Sequence, residues 1–273
     1  MTQAIPYWHV DAFANRPFEG NQAAVMLLDE WLADDVLVAI AEENNFAETA
    51  FIVRDRTGEA DWELRWCTPT YEIALCGHAT LASGHVVLSG LAGDTNGADR
   101  VRFRTRQSGI LEVAKAGEGT GYELGLPLIE TSPDSWDEAV ALLGARPSEI
   151  WLSSQRYGIY LLGSEDEVRA LDPDLRGLKA LGNDQFICTA PGTQTDVVSR
   201  VFVPGGGVDE DSFTGSAHAA LTYFWTERLG RDRFTAFQAS RRGGHATCRR
   251  AGDRAILGGP CVIVVEGRFY LTG

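Results

Sequence analysis

The chain has 273 residues, of which 44% are hydrophobic and 23% charged, an ordinary composition for one or two globular domains. Thirty glycines and ten prolines are too few for a fibrous or low-complexity protein. Acidic residues outnumber basic ones by 38 to 24, and the net charge of −14 repels nucleic-acid phosphates and anionic membrane surfaces, so we expect neither as a partner.

Short segments rich in β-branched and aromatic residues predict strands. In chain order these are Tyr7–Phe13, Ala23–Leu28, Thr49–Arg54, Trp62–Cys67, Arg100–Thr105, Ile110–Ala114, Gly158–Leu162, Gln185–Thr189, Asp196–Val203 and Cys261–Val265. Helical patterns are fewer, and they cover Asp34–Asn45 and Ser135–Leu143, with two more helices beginning at Gly77 and near Thr214. Many strands and few helices predict an α+β fold.

Targeting and cysteine patterns are weak in this sequence. No stretch approaches the roughly 18 apolar residues of a membrane-spanning helix, and the first ten residues lack the basic and apolar pattern of a leader. Five cysteines without C-x-x-C spacing predict neither a disulfide framework nor a zinc knuckle. We therefore expect a cytoplasmic protein with reduced thiols.

A fixed offset of 135 residues relates the two halves of the chain. The matching pairs are Phe51 with Phe186, Ile52 with Ile187, Asp61 with Asp196, Arg65 with Arg200 and Pro69 with Pro204. Each half then continues to a glycine-led helix start, at Gly77 and at Gly215. This pattern predicts an internal duplication with a boundary in the polar stretch Lys115–Gly121. At the same offset Glu48 corresponds to Asn183.

The two glycine-led helix starts are candidate binding elements. The first turn of a helix presents unpaired N–H groups with partial positive charge, and glycine lets a ligand approach the backbone. Gly77 and Gly215 therefore predict a site for a carboxylate-bearing substrate, to which Ser216 adds a hydroxyl donor. Ordinary helix capping is the alternative interpretation.

Three titratable side chains near these helix starts are candidates for proton transfer. His78 follows Gly77, where the helix dipole is expected to lower the histidine pKa and favour neutral imidazole. Glu48 lies at a helix-to-strand junction, where a partly desolvated carboxylate can carry a proton in either direction. Asp211 precedes the second helix. A structural histidine and a helix cap are the alternatives for His78 and Asp211.

Other chemistry has less support in the sequence. Cys76 directly precedes Gly77 and is either a thiolate stabilised by the helix N-terminus or a buried inert thiol. Glycine-rich nucleotide-binding motifs, H-E-x-x-H and carboxylate–histidine spacings are all missing from the sequence. We therefore predict neither a nucleotide cofactor nor a metal.

Taken together, the motifs resemble the phenazine biosynthesis PhzF-like isomerase family. The segments that carry the resemblance are Val10–Phe13, Phe18–Val25, Ala47–Phe51, Arg65–Pro69, Leu75–Ala82 and Asp211–Ala217. They cover nearly the whole chain in the order and spacing of the family. Ala47 and Ser212 depart from it, because the family usually has Ser before the glutamate and Pro after the aspartate.

The resemblance implies a diaminopimelate-epimerase-like fold. Two similar domains, each a mostly antiparallel sheet wrapped around a central helix, are expected to hold the active site in the cleft between them. We expect an N-terminal domain over residues 1–118 and a C-terminal domain over residues 119–260. A final strand at about residues 261–273 is expected to pair back onto the first domain. The resemblance also implies a homodimer that needs no cofactor and no metal.

The resemblance further implies roles for the candidate residues. Glu48 is expected to be the acid/base that moves a proton between carbons of a small carboxylated substrate, such as a dihydro-hydroxyanthranilate. His78 and Asp211 are expected to orient the substrate or relay protons. The backbones of Gly77 and Gly215, together with Ser216, are expected to bind the carboxylate or carbonyl group.

Two other functions stay open at this point. One is a Cys76-dependent epimerase or dehydratase of an amino acid or proline-type substrate. The related racemases use two thiols, one at the position of Cys76 and one close to Ser212, and only the first position is a cysteine here. The other is a non-catalytic small-molecule binding protein on the same fold, because a fold does not guarantee an activity.

Overall fold

A computed structural model describes residues 2–117 and 121–272 of the chain. The chain divides into two compact units. The first comprises the described residues up to Gly125 and those from Gly258 onward, and the second comprises Leu126–Leu257. The predicted boundary between residues 118 and 119 lies outside the described residues. Strands predominate and helices are few, so the predicted α+β class is confirmed.

The elements run in chain order through both units. The first ten elements, the last of which crosses the boundary after Gly125, are β1 (Thr2–Ala12), β2 (Asn21–Leu27), α1 (Asp34–Asn44), β3 (Glu48–Arg54), β4 (Trp62–Cys67), β5 (Glu72–Ile73), α2 (Gly77–Leu88), β6 (Arg100–Thr105), β7 (Ile110–Lys115) and β8 (Tyr122–Pro127). There follow β9 (Ser132–Pro133), α3 (Asp137–Leu143), β10 (Glu149–Leu152), β11 (Tyr157–Leu161), α4 (Glu165–Arg169), α5 (Leu175–Leu181), β12 (Gln185–Pro191), β13 (Val197–Val203), β14 (Val208–Glu210), α6 (Gly215–Leu229), β15 (Arg233–Gln238), β16 (Gly244–Ala251), β17 (Arg254–Gly259) and β18 (Cys261–Thr272).

In the first unit, a mostly antiparallel sheet surrounds α2. Helix α2 contacts β1, β2, β3, β6, β7 and β18, and nearly all of its residues are buried. A helix that is apolar or small on every side needs such a cover. Close packing requires a glycine at position 84, because a Cβ there would lie 2.4 Å from the side chain of Val113. Strand β18 pairs antiparallel with β1, from Ala12 opposite Cys261 to Thr2 opposite Thr272.

The two units contain the same succession of strand pairings. In the first unit, β2 and β3 are parallel, β3 and β4 antiparallel, β4 and β6 parallel, and β6 and β7 antiparallel. In the second unit, β11 and β12, β12 and β13, β13 and β15, and β15 and β16 follow the same pattern. A common strand order is what a duplication would produce, and the duplication itself stays a prediction.

The strand registers correct one detail of the internal alignment. Phe51 lies opposite Arg65 in the first unit, and Cys188 lies opposite Arg200 in the second. Counting back three residues along each strand gives Glu48 at the start of β3 and Gln185 at the start of β12. Gln185, and not Asn183, is therefore the topological counterpart of Glu48, because the second strand pair is shifted by two residues.

Some elements differ from the sequence prediction. Strands β4 and β6 have the predicted bounds, whereas α3 begins at Asp137 rather than at Ser135. Helices α4 and α5 were not predicted, because elements of five and seven residues show too little periodicity to be recognised. None of the helices in the described part of the chain has the length and apolar character of a membrane span.

Candidate active site

The start of α2 brings three reactive side chains together in the first unit. Cys76 is the N-cap residue of α2, and His78 is the second residue of the helix. Glu48 is the first residue of β3. The His78 Nε2 atom lies 3.2 Å from Glu48 Oε2, and its Nδ1 atom lies 3.6 Å from Cys76 Sγ. The imidazole thus connects a thiol on one side to a carboxylate on the other.

The pKa of His78 is raised, in the opposite direction to the lowering expected from the helix dipole. Burial lowers the pKa of His78, but Cys76 and Glu48 outweigh burial and raise that pKa well above its usual value. Because Cys76 is itself a protonated thiol, the Glu48 carboxylate is the charge that keeps the proton on His78. The helix dipole, worth about 0.3–1 kcal/mol, is too weak to compete with a half-buried carboxylate at this distance.

The Cys76 thiol is buried and stays protonated. Burial and the nearby Glu48 carboxylate raise the pKa of Cys76, and His78 only partly opposes them. Of the two interpretations made from the sequence, the structure favours a thiol of low reactivity over a thiolate stabilised by the helix.

The three groups offer ligand types that metals use. Donor atoms of Glu48, Cys76 and His78 all lie within 4.8 Å of one another. The thiol lies next to Nδ1 of the ring, and the carboxylate lies next to Nε2. This arrangement suits proton exchange along the ring better than three-ligand chelation.

Asn21 is a further member of this site, and it was not singled out from the sequence. Its side-chain amide lies 3.3 Å from His78 Nδ1, and the residue is buried. Gly20 makes this placement possible, because it has a positive φ and a Cβ there would lie 2.0 Å from the Ala12 carbonyl oxygen. The sequence does contain a Gly-Asn pair at the start of β2. Such a pair indicates a turn, but it does not show which residue the asparagine side chain contacts.

An arginine–glutamate pair holds the segment that leads into α2. Arg65 on β4 donates from Nε and Nη2 to the two carboxylate oxygens of Glu72 on β5, at 2.9 and 2.6 Å. The Arg65 side chain is only 3% exposed, and it also donates to Asp34 at 2.8 Å. Because a bidentate pair fixes both distance and orientation, it anchors the chain just before Cys76.

In the second unit, Asp211 lies in a dense set of hydrogen bonds before α6. Its carboxylate accepts a hydrogen bond from the Thr214 hydroxyl at 2.6 Å. Fully buried Gln238 donates to the Asp211 carbonyl at 2.8 Å and accepts from the Thr214 N–H at 2.9 Å. Arg200 and Glu210 form a second bidentate pair, at 2.7 and 2.9 Å, immediately before Asp211. Gln238 was missed from the sequence, because it lies 27 residues away from Asp211.

Gly215 and Ser216 form the first turn of α6. The Ser216 hydroxyl accepts from Gln185 Nε2 at 3.4 Å and also bonds to the Tyr157 side chain. Within the described residues, neither N-cap side chain, Cys76 for α2 or Thr214 for α6, makes a capping hydrogen bond. The first-turn N–H groups that follow Gly77 and Gly215 therefore keep their donor capacity.

The structure thus places the predicted residues in two groups. Glu48, His78 and Gly77 lie together in the first unit, and Asp211, Gly215 and Ser216 lie together in the second.

Comparison with known proteins identifies the family. The family model described as "Phenazine biosynthesis-like protein", PhzC-PhzF, matches residues 10–267. An uncharacterized isomerase of Pseudomonas aeruginosa is 44% identical over 98% of this chain and 99% of its own length. The chain belongs to the PhzC-PhzF family. The resemblance inferred from the sequence motifs is therefore confirmed.

Solved structures support the same assignment. A PhzF-family protein from Enterococcus faecalis is 41% identical and superimposes with a TM-score of 0.88 over 98% of this chain and 100% of that chain. A hydroxyproline epimerase from Agrobacterium vitis is 12% identical, with a TM-score of 0.61 over 99% of this chain and 93% of that chain. This second likeness shows that the PhzC-PhzF chain shares its fold with an epimerase. It says nothing about the substrate of this chain.

Proposed function

We propose that the protein is an isomerase that moves a proton between carbon atoms of a small carboxylated substrate, with Glu48 as the acid/base. The observation that carries this proposal is the ion pair between half-buried Glu48 and buried His78, at 3.2 Å, at the start of a central helix. The chain's relatives named as uncharacterized isomerases support the reaction class.

The proposed reaction needs a base and a means of stabilising negative charge. The Glu48 carboxylate removes a proton from one carbon, so that a C–H bond breaks and its electron pair delocalises toward the substrate carbonyl or carboxylate. Donors placed where this charge develops lower the barrier. His78 and the N–H groups after Gly77 provide such donors. Protonated Glu48 then returns the proton to a second carbon, and no oxidation or reduction occurs.

The remaining candidates are assigned to binding. Ser216 and the first-turn N–H groups after Gly215 bind the substrate carboxylate, and Asp211 orients the substrate or relays a proton. The reaction as written has no step that needs a cofactor or a metal. We also propose a homodimer, which light scattering of the purified protein tests directly.

The test is proton NMR in D₂O with trans-2,3-dihydro-3-hydroxyanthranilate and a panel of proline and amino acid candidates. Wild type is expected to introduce deuterium at a carbon position, and Glu48→Gln to slow this exchange at least about 100-fold, the usual contribution of a general acid/base. Glu43→Gln, an exposed glutamate on α1, is the matched control and should exchange like wild type. Undiminished exchange by Glu48→Gln would contradict the proposal.

A Cys76-dependent epimerase or dehydratase is the second candidate. Cys76 Sγ lies 3.6 Å from His78, and the fold is shared with a hydroxyproline epimerase. The raised pKa of the thiol weighs against it. If Cys76→Ser stops exchange while Glu48→Gln is mild, this candidate replaces the first. Thermal stabilisation by a probe that never exchanges protons would instead favour a non-catalytic binding protein.

A further inference from the structure

The position that carries the acid/base in the first unit carries a neutral amide in the second. Glu48 is the first residue of β3 and lies opposite Ala23 of β2. Gln185 is the first residue of β12 and lies opposite Tyr157 of β11. Both side chains reach the second residue of a glycine-led helix, His78 of α2 in one unit and Ser216 of α6 in the other. A glutamine cannot carry a proton, so this position has a different task in the second unit.

Of the two polar atoms of the Gln185 side-chain amide, one has a hydrogen-bond partner among the described residues and the other has none. Its nitrogen donates to the Ser216 hydroxyl at 3.4 Å. Its oxygen is buried and has no hydrogen-bond partner among the described residues. The Tyr157 side chain bonds to the same Ser216 hydroxyl. Because a buried carbonyl oxygen without a donor is unfavourable, a ligand that supplies an N–H or O–H to it gains affinity.

We propose that Gln185 is a specificity-determining residue that recognises a hydrogen-bond donor, an amino or hydroxyl group, beside the substrate carboxylate. This inference rests on the proposed function, in which Ser216 binds the carboxylate. The amide oxygen and nitrogen of one side chain are only about 2.2 Å apart, given their bonds to a common carbon. The recognised donor therefore belongs on the carbon that bears the carboxylate or on the next one. Tyr157 acts as a positioning residue through Ser216.

Three stable probes separate this recognition from general carboxylate binding. Anthranilate and salicylate carry an amino or a hydroxyl group beside the carboxylate, and 2-methylbenzoate has a similar shape without the donor. Isothermal titration calorimetry is expected to show that wild type binds the first two about tenfold more tightly than the third, which corresponds to about 1.4 kcal/mol. Equal binding of all three, or no binding of any, would overturn the proposal.

Two substitutions at the same position sharpen the test. Gln185→Met keeps the length but removes the polar atoms, so it should weaken anthranilate binding about tenfold and leave 2-methylbenzoate unchanged. Gln185→Glu keeps an acceptor and loses the donor, so the preference for anthranilate over 2-methylbenzoate should persist. Loss of that preference in Gln185→Glu would contradict recognition by the oxygen. Gln155→Met, at an exposed glutamine of the same unit, is the control and should bind like wild type.

The outcome for Gln185 can be told apart from the outcome for Glu48. Glu48→Gln should lose proton exchange and keep the preference for anthranilate over 2-methylbenzoate, because the two residues belong to different units. If wild type exchanges no proton but still discriminates, the proposed reaction fails and the recognition stands. If exchange depends on Glu48 and no discrimination is seen, the recognition fails alone. Tyr157→Phe should reduce affinity for all three acids equally.

Discussion

The starts of α2 and α6 share a backbone plan but differ in charge. Both helices begin with glycine, and in both the fourth residue bonds back to the N-cap carbonyl, through Thr80 in α2 and through His218 in α6. At the first start, the His78 ring, whose pKa is raised, faces the Glu48 carboxylate. At the second, the hydroxyl of Ser216 is bonded to a neutral amide. The same arrangement of a helix start can therefore carry either a pair of titratable side chains or a pair of neutral polar ones.

The two buried histidines illustrate the same lesson. Burial, with the Thr214 carbonyl only partly opposing it, lowers the pKa of His218 to about 4. Its ring is stacked on Phe213 at 4.3 Å. His78 is as deeply buried, yet its pKa is raised, because a carboxylate lies next to it. Because both rings are buried, the carboxylate beside His78 accounts for the opposite directions of the two pKa shifts.

Removing the carboxylate should make the two histidines alike, and this is the largest expected effect. In Glu48→Gln, burial of His78 is no longer opposed by a negative charge, so its pKa should fall by about one pH unit or more. Titration of the ring by ¹⁵N NMR checks this, with His218 as the internal control. An unchanged His78 pKa would show that Glu48 does not hold the proton.

The pH dependence of stability should have opposite signs for the two histidines. The lowered pKa of His218 makes its contribution complete above pH 6.5, and about 3 kcal/mol of it is lost as the pH falls toward 4. The raised pKa of His78 makes its contribution complete below pH 6.5, and it is lost as the pH rises through the folded-state value. Urea unfolding of wild type, His218→Asn and His78→Gln across this range measures both. Parallel curves for the two variants would contradict the assignment.

Breaking the arginine–glutamate pair of the first unit should have an intermediate effect. Arg65→Met leaves Glu72 without its bidentate partner, although Arg106 still donates to Glu72 at 3.0 Å. We expect the free energy of unfolding to fall by about 2 kcal/mol, less than for a fully isolated buried charge. Arg100→Met breaks an exposed pair with Glu112 and should cost under about 0.5 kcal/mol in the same urea titration. Equal losses of unfolding free energy in the two variants would show that the Arg65–Glu72 pair stabilises the fold no more than an exposed pair does.

The smallest loss of stability should come from removing the hydrogen bond between the fourth residue of α2 and the N-cap carbonyl. Thr80→Val keeps the shape of the side chain but removes its hydrogen bond to the Cys76 carbonyl. The expected loss is about 1 kcal/mol of stability, with a small shift of the helix start. Calorimetric unfolding measures this loss. A much larger loss would mean that Thr80 does more than bond to the N-cap residue.

Much of the architecture could be predicted from local sequence. Alternating apolar residues gave β4 and β6 with the observed bounds, and the glycine at position 77 marked the start of α2. The motifs around Glu48 and Gly215 identified the family, because they combine rare local patterns in a fixed order. Local patterns did not predict α4, because a helix of five residues is too short to show a helical period.

The sequence by itself determined the α+β class, the family and the identity of the candidate residues, since these follow from composition and from motifs of neighbouring residues. Only the tertiary structure decided the direction in which the pKa of His78 shifts, because Glu48 is 30 positions away in sequence and 3.2 Å away in space. It also decided that Gln185 is the counterpart of Glu48, because strand register depends on pairing across the sheet. Electrostatics and register depend on contacts between distant segments, and those contacts exist only in the folded chain.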